Sequence, residues 1–222
     1  MKLKQGQIKA VIFDMDGLMF NTETLYRDAI IKMGQAIGKV LDLNLQKKMM
    51  GRSNLDSIRV LKEAWSLNED IEKLRSIRDE SVIELSKFRL QKMAGLDELL
   101  SAVSKLNLPK AVVTGSQKKV AEHFLSLAHL SNQFAFVLTG DDIVHGKPDP
   151  DIYFAAVERF KLQSDSILVF EDSLNGVISA KGAHCVTFAV PNEYSGSDDF
   201  SIADATFRSL KEIVPIIRNM GL

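Results

Sequence analysis

The chain has 222 residues, of which 45% are hydrophobic and 26% are charged, and its net charge is -1 at pH 7. This length can bury one core of moderate size, and the near-zero charge excludes a general attraction to nucleic acid polymers or membrane surfaces. The single cysteine, Cys185, excludes an internal disulfide, and no apolar run reaches the ~18 residues of a membrane span. The apolar run after the N-terminal lysines is too short for a signal peptide. We therefore expect a soluble, cytoplasmic, monomeric protein.

Short apolar runs along the chain predict strands that are buried on both faces. The runs are AVIF (10–13), KAVVT (110–114), FAFVL (134–138), SILVF (166–170), CVTFAV (185–190) and the weaker ATF (205–207). Continuous apolar runs indicate a parallel sheet that helices cover on both sides. From residue 110 onward the runs alternate with helical patterns at 117–130, 149–160 and 173–183. The alternation predicts an α/β fold with a doubly wound, Rossmann-like parallel sheet.

Residues 20 to about 92 break this alternation, because they have helical periodicity and no convincing strand. Leu25, Ala29 and Met33, for example, mark one helix face. We predict a small helical cap domain at residues 18–93, inserted into a catalytic core that consists of residues 1–17 and 94–222. Ligands of open α/β sheets bind at the carboxyl ends of the strands, so this insertion would cover the site as a lid.

Acidic and other polar residues follow the predicted strands, at the edge where the carboxyl ends of parallel strands would meet. They are Asp14 and Asp16 after the first strand, Thr114, Gly115 and Ser116 after the second, Glu171 and Asp172 after the fourth, and Lys147 ahead of a helix. Carboxylates that face one point repel each other, and their burial is costly without a cation. Oxygen ligands beside a substrate phosphate suit Mg²⁺.

An anion cradle is predicted at the same edge. Thr114 and Ser116, together with the amides after Gly115 at a helix N-terminus, would bind an anion, and Lys147 would add a positive charge. The combined arrangement holds a metal-bound phosphoryl group beside a carboxylate nucleophile, as phosphoryl transfer requires. Each motif alone is most often a turn or a helix cap, so the prediction depends on their joint appearance at strand ends.

These residues resemble the four motifs of the haloacid dehalogenase superfamily of phosphotransferases. FDMDG (13–17) is similar to the first motif, VVTGS (112–116) to the second, the lysine of GKPDP (146–150) to the third, and VFEDS (169–173) to the fourth. The helical block resembles the small α-helical cap of the subfamily that includes β-phosphoglucomutase and sugar-phosphate phosphatases. The resemblance covers nearly the whole chain and implies a Mg²⁺-dependent phosphoric monoester hydrolase.

The resemblance also implies a role for each matching residue. Asp14 would attack phosphorus and become an aspartyl phosphate, while Asp16 would protonate the leaving oxygen and then activate water. Thr114 and Lys147 would hold the phosphoryl oxygens. The implied metal ligands are Asp14, the backbone carbonyl of Asp16, Asp172 and, in or near the shell, Glu171.

Two positions in the predicted cap favour a phosphatase over a mutase. Where mutases of this subfamily have a histidine and an arginine, this chain has Tyr26 and Asn54, although Arg52 lies nearby. A hexose phosphate mutase remains the alternative enzyme, and a phosphorylatable regulatory or binding module remains the non-enzymatic alternative. The predicted substrate is a small phosphorylated metabolite, either a sugar phosphate or a nucleoside monophosphate. Its possible contacts from the flap and cap are Asn21, Glu23, Arg52 and Asn54.

Overall fold

The computed structural model of the protein describes residues 6–49, 54–195 and 198–220. Within these residues, six parallel strands form one sheet in the order β3-β2-β1-β4-β5-β6. The strands are β1 (Ala10–Phe13), β2 (Lys110–Val113), β3 (Val137–Leu138), β4 (Ile167–Glu171), β5 (Val186–Ala189) and β6 (Ala205–Thr206). The order confirms the predicted doubly wound α/β fold, because the chain fills the sheet outward from β1 in both directions.

The strands are mostly apolar because helices cover both faces of the sheet. Along β1, Val11 and Phe13 enter one core, whereas Ala10 and Ile12 enter the other, as the two-residue period of a strand requires. The helices that follow the inserted segment are α5 (Leu96–Lys105), α6 (Lys118–Leu127), α7 (Asp151–Phe160), α8 (Leu174–Gly182) and α9 (Leu210–Asn219). Residues of α5, α6 and α9 line the first core, and residues of α7 and α8 line the second.

The third strand is shorter than its apolar run predicts. The run at 134–138 predicts five strand residues, but only Val137 and Leu138 pair with β2. Phe136 is buried in one core, and Phe134 packs against the other. The backbone still bonds to β2 before the strand begins, from the Ala135 N–H to the Lys110 carbonyl at 2.8 Å and from the Val112 N–H to the Phe136 carbonyl at 3.2 Å. The strand itself includes only the last two residues of the run, so the prediction was wrong in its first three residues.

Between β1 and α5, the residues that the structure describes form four helices: α1 (Thr22–Ala36), α2 (Leu43–Met49), α3 (Asn54–Trp65) and α4 (Ile71–Arg89). They share a small apolar core of their own, formed by Ile30, Met33, Leu45, Ile58, Leu61, Trp65 and Leu74. None of the helices in the described part of the chain is long and apolar enough to cross a membrane.

Two connecting segments join these helices to the sheet and run side by side. The backbone N–H of Asn21 donates to the carbonyl of Gln91 at 3.1 Å, and that of Met93 donates to the carbonyl of Met19 at 2.8 Å. The domain limits at 17/18 and 93/94 stay a prediction, which the paired connections and the separate core of α1 to α4 support.

Candidate active site

Asp14 follows β1 directly and is buried at the carboxyl end of the sheet. Its backbone N–H donates to the carbonyl of Phe170 at 3.0 Å, which holds the chain beside β4. One carboxylate oxygen, Oδ1, accepts a hydrogen bond from the Lys147 Nζ at 2.6 Å. The other, Oδ2, is buried and has no hydrogen-bond partner among the described residues. Because a buried, unpaired charged oxygen is costly, Oδ2 is the atom of this carboxylate that is open to a cation or an electrophile.

Lys147 connects Asp14 to a second buried acid, Glu171. The Lys147 Nζ donates to the Glu171 Oε1 at 2.5 Å, and the same oxygen accepts from the Tyr153 hydroxyl at 2.6 Å. The Glu171 Oε2 accepts from the Ser173 hydroxyl at 3.2 Å. A Cβ at Gly176 would lie 2.0 Å from the Glu171 carboxylate, so glycine is required there. Both oxygens of Glu171 are thus occupied, and Glu171 positions the lysine.

Asp172 lies on the other side of Asp14 and is also buried. Its Oδ2 accepts a hydrogen bond from the Asn192 Nδ2 at 2.7 Å, and the same amide group donates to the carbonyl of Gly17 at 3.3 Å. Gly17 has a φ of 79°, and a Cβ there would lie 2.2 Å from the Asp172 Oδ2. Glycine therefore permits both the turn after Asp16 and the close approach of Asp172.

The three carboxyl groups of Asp14, Glu171 and Asp172 bring ligand atoms within 4.8 Å of one another. Burial raises the pKa of Asp14 well above its ordinary value, although Lys147 opposes this rise. Burial, and then the negative charges of Asp14 and Glu171, likewise raise the pKa of Asp172 well above its ordinary value. Burial acts against the charge of Lys147, yet the two acids it contacts raise its pKa. The cluster therefore has more negative charge than Lys147 alone can balance.

Asp16 is held by hydroxyl groups. Its Oδ2 accepts hydrogen bonds from the Thr114 Oγ1 and the Ser116 Oγ, both at 2.7 Å. The Ser116 backbone N–H in turn donates to the Thr114 Oγ1 at 3.0 Å. Burial raises the pKa of Asp16, while the hydroxyl groups of Ser116, Thr114 and Thr22 oppose this rise. Burial is the larger effect, so Asp16 can carry a proton, and its hydroxyl neighbours distinguish it from Asp14, which lies against Lys147.

A cavity of about 220 Å³ opens over these residues, and α1 to α4 form its far wall. The residues of the predicted core site that line the cavity are Asp14, Asp16, Gly115, Lys147 and Asp172. The lining residues from α1 to α4 include Glu23, Tyr26, Arg27, Ile30, Gln46, Met49, Asn54, Ser57 and Arg78. Burial and the charge of Asp16 raise the pKa of Glu23 to about 7. The cavity thus combines a phosphate-sized polar floor with a mixed polar and apolar wall.

The four predicted flap and cap contacts have different placements. Glu23 and Asn54 line this cavity. Asn21 lines a neighbouring cavity of about 370 Å³, and its Oδ1 accepts from the backbone N–H of Gln91 at 2.7 Å. Asn21 therefore holds the connecting segments together. Arg52 lies outside the described residues.

Among the side chains at the site that the sequence patterns did not indicate are Asn192, Arg78 and Tyr153. Asn192 follows β5, so the rule that polar residues follow strand ends could have found it. Arg78 interrupts an apolar stripe of α4 between Leu74 and Val82, at a helical spacing of four, which is also a readable signal. Tyr153 gave no such signal, because a tyrosine on a buried helix face is ordinary core packing.

A model of the haloacid dehalogenase-like hydrolases matches residues 11–190 of this chain. The chain belongs to this family. The match includes every residue predicted for the core site, which confirms the resemblance that the four motifs indicated.

Relatives with known names agree with this assignment. The chain is 31% identical to a phosphorylated carbohydrates phosphatase of Thermotoga maritima, with 79% of this chain and 82% of that protein covered. It is also 31% identical to (DL)-glycerol-3-phosphatase 2 of Arabidopsis thaliana, with 95% and 91% covered. The crystal structure of CbbY from Rhodobacter sphaeroides in complex with phosphate shares the fold, with a TM-score of 0.85 at 23% identity and coverage of 93% and 96%. These findings confirm the predicted phosphoric monoester hydrolase of the haloacid dehalogenase type.

The first testable prediction concerns the buried lysine of this haloacid dehalogenase-like hydrolase. Lys147→Met leaves two buried acids without their cation, so we expect a loss of about 3–5 kcal/mol in the free energy of unfolding at pH 7.5. Without Lys147 the pKa of Asp14 rises further, so the folded state holds a proton that the unfolded state releases above about pH 4. The loss should therefore be smaller at pH 5. Urea unfolding at both pH values measures it.

The matched control is Lys181→Met, which removes a partly exposed lysine whose Nζ bonds the Asp204 Oδ2 at 2.7 Å. Its loss should stay within about 1 kcal/mol at both pH values. Equal losses for the two variants, or a Lys147→Met loss that does not shrink at pH 5, would contradict this account of the cluster.

Proposed function

We propose that this chain is a Mg²⁺-dependent phosphatase of a small phosphorylated carbohydrate or polyol, and that it acts through an aspartyl phosphate on Asp14. The observation that carries the proposal is the pairing of two acids with different surroundings. Asp14 lies against Lys147 and keeps one unpaired oxygen, while Asp16 lies two residues away among hydroxyl groups and keeps another. One acid is suited to attack phosphorus, and the other to carry a proton.

The reaction has two steps with the atoms balanced. In the first, a carboxylate oxygen of Asp14 bonds to phosphorus, the ester bond to the leaving oxygen breaks, and Asp16 gives its proton to that oxygen to form the alcohol. In the second, Asp16 takes a proton from a water molecule as the water oxygen bonds to phosphorus. The bond from phosphorus to Asp14 then breaks, which restores the carboxylate and releases inorganic phosphate.

The residues at the carboxyl edge fit a divalent cation. The unpaired Asp14 Oδ2 is a ready ligand, and the proposed set of Asp14, Asp172 and the Asp16 carbonyl is all oxygen, as Mg²⁺ prefers. When bound, Mg²⁺ would keep Asp14 ionised and offset charge on the phosphoryl oxygens. Glu171 would act through Lys147, since both of its oxygens already accept hydrogen bonds.

The proposed phosphate contacts are Thr114, the backbone of Gly115 and Ser116, and Lys147. Thr114 and Ser116 follow β2, next to β1 in the sheet, so they lie beside Asp14. The substrate class comes from two sources. The cavity of about 220 Å³ has room for a small leaving group, and the relatives at 31% identity are named for phosphorylated carbohydrates and glycerol 3-phosphate. Glu23 and Asn54 would contact hydroxyl groups of that leaving group.

The second prediction tests the two aspartates. With glycerol 3-phosphate, hexose phosphates and 4-nitrophenyl phosphate as substrates and Mg²⁺ present, the wild type should release inorganic phosphate, and EDTA should abolish the release. Asp14→Asn should remove the activity. Asp16→Asn should lower kcat/KM for the alkyl phosphates by about 10²–10⁴-fold, because it removes the general acid.

The control for these variants is Asp165→Asn, which changes an exposed acid at the opposite end of β4. It should keep wild-type rates. Retained activity in Asp14→Asn would contradict the proposed nucleophile, and isomerised hexose phosphate formed faster than inorganic phosphate would identify the mutase alternative. A phosphorylated chain that does not turn over would identify the regulatory alternative.

The third prediction concerns the metal and is measured by thermal unfolding. Because burial raises the pKa of Asp14 and Asp172, these groups cost stability when ionised, so Mg²⁺ should raise the Tm more at pH 7.5 than at pH 5. Asp172→Asn should raise the Tm of the metal-free protein and shrink the Mg²⁺ shift. The control is again Asp165→Asn. If Mg²⁺ raised the Tm of Asp172→Asn as much as it raises the Tm of this control, Asp172 would not be a metal ligand.

A further inference from the structure

One hydroxyl group joins the sheet edge to the helices above it. The Ser116 Oγ lies 2.7 Å from the Asp16 Oδ2, 2.7 Å from the Tyr26 hydroxyl and 3.2 Å from the Asn54 Nδ2. Asp16 and Ser116 follow adjacent strands, whereas Tyr26 belongs to α1 and Asn54 begins α3. The side chain of Ser116 is therefore the point where two covering helices meet the proposed general acid.

The hydrogen-bond capacity of Ser116 limits how its hydroxyl group can serve three partners. A serine hydroxyl has one hydrogen to donate and two lone pairs to accept with. The Asn54 Nδ2 can only donate, so it occupies one lone pair. The Tyr26 and Ser116 hydroxyls can share a hydrogen in either direction. When Tyr26 donates, both lone pairs are filled, and the single Ser116 hydrogen is left for the Asp16 Oδ2.

The same hydroxyl group holds one oxygen of the Asp16 carboxyl group. The Asp16 Oδ2 accepts from both Ser116 and Thr114, and the Thr114 Oγ1 accepts from the Ser116 N–H. Two hydroxyl groups bonded to one oxygen fix the orientation of the carboxyl group, because it cannot turn without breaking both bonds.

Arg78 holds both covering side chains in place. Its guanidinium carbon lies 4.8 Å from the centroid of the Tyr26 ring, and its Nη1 donates to the backbone carbonyl of Asn54 at 3.1 Å. Its Nε and Nη2 donate to the Asp79 Oδ1 at 2.9 and 2.7 Å. The side chain is only 2% exposed. This buried arginine of α4 thus fixes α1 and α3 against Ser116.

We propose that Tyr26 and Asn54 are positioning residues that act through Ser116 to hold the Asp16 carboxyl group in the orientation from which it gives a proton to the leaving oxygen. The general acid is then held in place only while α1 and α3 cover the sheet edge, because Ser116 loses its contacts with Tyr26 and Asn54 without them. This proposal rests on the proposed phosphatase function and adds a role that the covering helices play in the chemistry.

The test compares two leaving groups in Tyr26→Phe, which deletes one hydroxyl and keeps the ring beneath Arg78. An alkoxide needs a proton as it leaves, whereas 4-nitrophenolate leaves without one. We expect kcat/KM for glycerol 3-phosphate to fall by about 10–100-fold, and that for 4-nitrophenyl phosphate to stay within about twofold. Because kcat/KM covers only the steps up to leaving-group departure, later hydrolysis does not affect the comparison.

A double-mutant cycle makes the test specific to Ser116. Ser116→Ala should show the same selective loss of kcat/KM on glycerol 3-phosphate. Adding Tyr26→Phe to Ser116→Ala should change kcat/KM by less than about twofold, because Tyr26 acts on Asp16 only through Ser116. The control is Thr24→Val, which removes a hydroxyl from the same helix outside the network, where it lies 3.4 Å from the Asn21 carbonyl. Its rates on both substrates should match the wild type.

The outcomes separate this proposal from the proposed function. One contrary result is that the wild type hydrolyses both substrates while Tyr26→Phe loses kcat/KM equally on both, or on neither. Either form of this result would overturn the positioning role and leave the proposed phosphatase function intact. Additive losses in the double variant would also overturn it. No hydrolysis of either substrate by the wild type would overturn both. Thermal unfolding of each variant confirms that it is folded.

Discussion

The buried ammonium group of Lys147 is the interaction on which the carboxyl edge of the sheet depends. It donates to Asp14 and Glu171 at 2.6 and 2.5 Å, inside a group of three acids whose ligand atoms lie within 4.8 Å of one another. Carboxylates this close repel each other strongly where water is excluded, so their burial depends on neighbouring positive charge. Glycines at 17 and 176 leave room that a Cβ would fill, so the chain surrounds these carboxylates closely.

The surplus negative charge and the neighbouring hydroxyl groups give two aspartates different chemistry. Asp14 shares a lysine and keeps one free oxygen, whereas the Asp16 Oδ2 is saturated by the hydroxyls of Thr114 and Ser116. Environments that differ in this way separate a nucleophile from a proton carrier. The covering helices contribute directly, because Tyr26 and Asn54 complete the hydrogen bonds of Ser116. In the proposed mechanism, enclosure of the substrate and positioning of the general acid would depend on the same contacts.

Much of the core site was predictable because strand ends are readable in the sequence. A continuous apolar run followed by an acid, as in AVIFD, gives both the strand and the residue at its carboxyl end, and the parallel sheet then brings Asp14, Thr114 and Asp172 together. The contacts of Tyr26 and Arg78 were not predictable, since they depend on how α1, α3 and α4 pack over the edge. The run at 134–138 predicted too long a strand, because Phe134 and Phe136 are apolar residues that pack in the two cores, whereas only Val137 and Leu138 form β3.

The central claim is that Asp14 bonds covalently to phosphorus, and a single turnover with Asp16→Asn tests it most directly. With 4-nitrophenyl phosphate and Mg²⁺, the leaving group departs without an acid, while the missing base slows hydrolysis of the intermediate. Rapid quenching followed by peptide mass spectrometry should find phosphate on Asp14 and stoichiometric 4-nitrophenolate in solution. Release of 4-nitrophenolate with phosphate on another residue, or with no phosphate on the protein, would contradict the account.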